Sequence, residues 1–96
     1  MKIQWTKKAS SELIAIIKYI KKDSPQNAVM VFEEVHKLAD SLLHFPEKYP
    51  LLSSAGKPNV RFTVLWNMKL IYVIKKDSIT ISRVFGTRQH PKKLNP

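Results

Sequence analysis

Cysteine is absent from the 96 residues, which excludes disulfide frameworks, thiolate zinc sites and cysteine nucleophiles together. No apolar run approaches the roughly 18 residues that a membrane-spanning helix requires, so no membrane partner is expected. The N-terminus shows neither an apolar signal region nor a small-residue cleavage site, which makes the cytoplasm the expected location. Glycine occurs only twice, and acidic residues number 7 against 17 Lys and Arg, for a net charge of +10. An apolar fraction of 44% with 25% charged residues is that of an ordinary globular chain, and 96 residues are enough for one core, so residues 1–96 form a single domain. The charge is unevenly placed. Residues 1–48 hold eight Lys/Arg and six Asp/Glu; residues 49–96 hold nine Lys/Arg against Asp77 alone. A cationic second half attracts polyanions, either nucleic acid or an acidic protein segment.

Met1 to Trp5 alternates polar and apolar residues and predicts a short strand with Ile3 and Trp5 on one face. Thr6 is placed to cap a helix over residues 7–22, whose stripe is Ala9, Leu13, Ile16, Ile17 and Ile20. Ser24 at N-cap and Pro25 at the first helical position start a second helix running to about His44, with Ala28, Val31, Phe32, Val35, Leu38, Ala39 and Leu42 turned inward. Pro46 and Pro50 end it. From Val60 the period changes to two. Val60, Phe62, Val64 and Trp66 alternate with Arg61, Thr63 and Leu65, which predicts a strand with Arg61 on the open side of a sheet. A turn at Asn67–Met68, made without glycine, leads to a strand over 69–75 and then to another over 78–85. Tyr72 shares parity with Leu70 and Ile74 and belongs to the core. Arg83 shares parity with Ile79 and Ile81, so it faces inward unless the strand bulges. The fold class is therefore α+β in the order β-α-α-β-β-β: an N-terminal strand, then an antiparallel helical hairpin packed on one face of an antiparallel sheet.

The order and spacing of several short pieces resemble the RelE/ParE superfamily of toxins from type II toxin–antitoxin modules. These pieces are Trp5 with Ala9, Leu13 and Tyr19-Ile20; Pro25 and Ala28; Leu42 with Phe45-Pro46; Arg61; the LIYVI run around Tyr72; and the ending SRVFGTRQHPKKL. The long second helix and its FPEKYP exit are more similar to ParE proteins, and the basic ending is more similar to members that cut RNA. The resemblance implies a growth-arresting toxin with a cognate antitoxin as partner and no cofactor. The expected target is DNA gyrase in the ParE-like reading, or the ribosome and its mRNA in the RelE-like one. The second reading would make the protein a metal-independent endoribonuclease. A non-catalytic nucleic-acid-binding module is the alternative from outside the toxins.

Metal-free RNA cleavage needs charged donors around the phosphorane and groups that move protons. The resemblance implies Arg88 and Lys69 as the donors and His90 as the proton carrier. Arg61, Lys57 and Arg83 are the candidates for phosphate contacts. His36 and His44 lie on the second helix without partners at ligand spacing, so no metal site is expected.

Overall fold

The computed structural model describes residues 1–86 and has the elements β1 (Lys2–Trp5), α1 (Lys7–Asp23), α2 (Pro25–Ser41), β2 (Val60–Leu65), β3 (Met68–Ile74) and β4 (Ser78–Gly86), with a single 3₁₀ turn at Ser53–Ala55. The α+β order is the one read from the sequence. Thr6 accepts from the Ala9 N–H at 3.0 Å and donates to the Ser82 carbonyl at 3.1 Å, so one side chain both caps α1 and ties its start to β4. Ser24 caps α2 by accepting from the Asn27 N–H, with Pro25 at N1 where no donor is lost. α2 ends at Ser41, short of His44. There Leu42, Leu43 and His44 bond back three residues, tightening the final turn ahead of Pro46.

The sheet order is β1-β4-β3-β2. β2, β3 and β4 form an antiparallel meander, and β1 joins β4 in parallel, which makes the sheet mixed. Both helices cover one face. Ala9, Leu13, Val31, Val35, Ala39 and Leu42 pack there with Met68, Leu70, Tyr72, Ile79, Ile81 and Val84. Phe32 does not share that burial and is 44% exposed.

Register decides which parity faces the core. Arg61 stands opposite Tyr72 and Thr63 opposite Leu70, so the odd residues of β2 share the helix-covered face. Phe62 and Val64 therefore lie on the open face, reversing the alternation expected from the sequence. The turn is Trp66-Asn67, one residue earlier than expected, because Leu65 pairs with Met68. In β4 a bulge inserts Ser82, which sets Arg83 opposite Ile71 and turns Val84 inward. This bulge is the condition under which Arg83 leaves the core.

Tyr72 is fully buried, and its hydroxyl donates to the Pro46 carbonyl at 2.7 Å, fixing the proline-rich exit of α2 to the sheet. Burial pushes its phenol pKa up, so the hydroxyl keeps the proton it donates. Tyr72→Phe should cost about 1–1.5 kcal/mol, read as a lower urea midpoint at unchanged m-value.

Candidate interaction surface

Among the described residues, Arg61 and Lys57 stand apart from Lys69 and Arg83, which lie on the open face of neighbouring strands. Arg61 was expected on the open face. It instead lies on the helix side of β2, at the edge of the sheet, where Nη1 donates to the carbonyls of Tyr49 (2.6 Å) and Glu47 (3.2 Å). The arginine holds the same exit loop as Tyr72. An edge strand admits it because the guanidinium can reach carbonyls beyond the sheet margin. Lys69 is on the open face, with Nζ 4.5 Å from the centre of the Phe62 ring. Lys57 is exposed in the loop after Gly56, whose φ of 66° closes the 3₁₀ turn. Arg88 and His90 lie outside the described residues.

Arg83 is engaged by Glu12, a residue without a role in the reading of the sequence. Its Nε lies 3.1 and 3.0 Å from the two carboxylate oxygens and Nη2 lies 2.8 Å from Oε2, while the Val84 N–H donates to Oε1 at 2.9 Å. β1 pairs with β4 only from Ser78 to Ile81, and Glu12 satisfies the edge of β4 beyond that pairing. Burial raises the Glu12 pKa, but the bonds from Arg83 and the Val84 amide, with the charges of Arg83 and Lys8, outweigh it and hold the carboxyl below its ordinary value. Arg83 is correspondingly raised by Glu12.

What the fold does assemble is an apolar groove. It runs between the end of α1, the start of α2 and the β2–β3 hairpin tip, encloses about 480 Å³, and is lined by Ile16, Tyr19, Ile20, Val31, Trp66 and Met68, with Asp23 at its margin. Tyr19 is 58% and Trp66 48% exposed. Trp66 has φ +57°, a backbone region in which a bulky residue is strained. It occupies the first of the two turn positions, where a two-residue hairpin demands positive φ. A large aromatic ring thus stands exposed and strained beside an apolar groove. The alternation of β2 hid Trp66 by assigning it to the core. The signal available was its position directly before Asn67 at a strand junction.

The family model for the ParE toxin of the type II toxin–antitoxin system parDE matches residues 3–91. A solved structure of a chromosomal ParDE toxin–antitoxin system from P. aeruginosa is similar with a TM-score of 0.72 and 25% sequence identity, covering 90% of this chain and 95% of that one. No curated protein sequence gives a match.

Proposed function

The chain belongs to the family of ParE toxins of type II toxin–antitoxin systems, and from that premise we propose that, once free of its antitoxin, it arrests growth by acting on DNA gyrase. One observation supports the choice of gyrase over mRNA: among the described residues, Lys69, Arg83 and Arg61 are each engaged by another group and do not converge on one point. Lys69 rests on Phe62 on the open face, Arg83 is clamped by Glu12 at the β4 edge, and Arg61 serves the exit loop on the opposite side of the sheet. Stabilising one phosphorane requires donors converging on one set of oxygens.

The partner is a cognate antitoxin whose acidic, amphipathic C-terminal segment folds on binding. Its apolar side chains fill the groove beneath Trp66 and Tyr19.

Inducing the protein in cells without antitoxin tests the target. The expected result is accumulated gyrase–DNA cleavage complexes and DNA-damage signalling, with no new RNA 5′ ends. New ends at a fixed codon phase would overturn the gyrase reading in favour of a ribosome-dependent ribonuclease.

A further inference from the structure

α1 carries five lysines: Lys7, Lys8, Lys18, Lys21 and Lys22. At 3.6 residues per turn they fall within about 140° of the helix circumference, opposite the stripe formed by Ala9, Leu13, Ile16 and Ile20. All five are exposed, as are Ser11, Ile14 and Ala15 between them. The two acids of the helix, Glu12 and Asp23, lie off this arc, and Glu12 is committed to Arg83. Among the described residues none of the five lysines makes an ion pair. The face is therefore cationic without interspersed acids.

Helix physics favours Lys21 and Lys22 in the last turn but opposes the rest of that arrangement. Lys7 and Lys8 occupy the first turn, where the macrodipole favours anions and where no acidic residue is present. Lys18 and Lys22 are like charges four residues apart, a spacing at which a Glu–Lys pair would stabilise. A face kept only for solubility would mix the two signs.

We propose that this outer face of α1 is a contact surface for duplex DNA, its lysines neutralising backbone phosphates. The composition favours phosphate over a protein partner. Protein interfaces are depleted in lysine at their centre and enriched in arginine and aromatics, and here every cation is lysine, a point charge suited to diffuse phosphate contact. The spacing fits as well. Lys7 and Lys8 are separated from Lys18 by about 15–17 Å along the axis, with Ser11, Ile14 and Ala15 between. A helix laid across a major groove about 12 Å wide thus sets one lysine cluster on each phosphate row. The proposal does not depend on gyrase being the target.

The test is fluorescence anisotropy of the full-length toxin with a mixed-sequence duplex of about 20 base pairs, titrated between about 50 and 200 mM salt. Five contacts predict a log–log salt slope of about −4.5. K18Q/K21Q/K22Q should flatten it by about 2.7 and weaken binding at least about thirtyfold at 0.1 M salt. K37Q/K75Q/K76Q removes the same charge elsewhere and should change the slope by less than about one. Matched melting temperatures show that both variants fold. Equal losses in the two triples would reduce the effect to net charge and overturn the proposal. So would equal affinity for a single-stranded uridine oligonucleotide. A helix variant that keeps DNA binding but loses its antitoxin or gyrase would make this a protein surface instead. Gyrase cleavage complexes are scored separately in cells, so their absence sinks the gyrase reading while leaving this result untouched.

Discussion

Glu12→Ala should lower the stability of the free toxin by about 2–3 kcal/mol, which for a domain of this size is a drop of roughly 10–20 °C in melting temperature. The substitution removes the carboxylate that receives Arg83 and leaves the Val84 N–H at the edge of β4 without its acceptor. Buried, hydrogen-bonded charges cost more to orphan than surface pairs do. The Arg83 side chain is 40% exposed, so solvent screening keeps the loss at the modest end of that range. Glu12→Gln separates charge from shape and carries a pH signature. The folded carboxyl sits below its ordinary value of 4.5, so its charge-dependent stabilisation is complete above that value and is lost as the pH falls through the lowered one. The stability gap between wild type and Glu12→Gln should therefore close in acid, below about pH 4.5. A gap that stays constant down to pH 3 would mean that the charge contributes nothing.

Trp66→Gly should change stability modestly and binding strongly. Relief of the left-handed backbone at φ +57° is worth about 1–2 kcal/mol, and the added freedom of glycine in the unfolded chain returns about 0.5–1 kcal/mol. The ring is 48% exposed, so about half of its surface is buried. Losing that burial offsets the relief and should leave the variant's melting temperature between unchanged and several degrees lower. Its affinity for the antitoxin should nevertheless fall at least about thirtyfold, as removal of a central aromatic anchor does. Calorimetry of the toxin alone and titration with antitoxin read the two effects independently. Unchanged antitoxin affinity would remove the hairpin tip from the interface. A melting temperature several degrees higher would show that the ring strains more than it packs.

The helices were legible because their signals are local. Thr6 and Ser24-Pro25 are caps that act on neighbouring amides, and both sit where the sequence placed them. The faces of β2 were not. Val60, Phe62, Val64 and Trp66 form the more apolar set, yet Arg61 and Thr63 lie on the core side because β3 buries Leu70 and Tyr72 opposite them. Pairing register outweighs the polarity of an edge strand. Glu12 was invisible for a related reason: its partners are more than seventy residues away in the chain. The division of charge by halves also misplaced attention. Glu33, Glu34 and Asp40 on α2 cancel the lysines of α1 in the sum for residues 1–48, although the two helices present separate faces.

By itself the sequence determined the order β-α-α-β-β-β, the positions of both helix starts, the burial of Tyr72 and the toxin family. Each of these rests on contacts between near neighbours in the chain or on the ordered spacing of short motifs. Only the tertiary structure decided that β1 pairs in parallel with β4, that Arg61 braces a loop, that Arg83 is claimed by Glu12 and that Trp66 stands over a groove. All four follow from which strands lie side by side and in what register. A one-residue shift in that register exchanges the two faces of a strand, so composition and periodicity fix the set of side chains but not the side on which each one works.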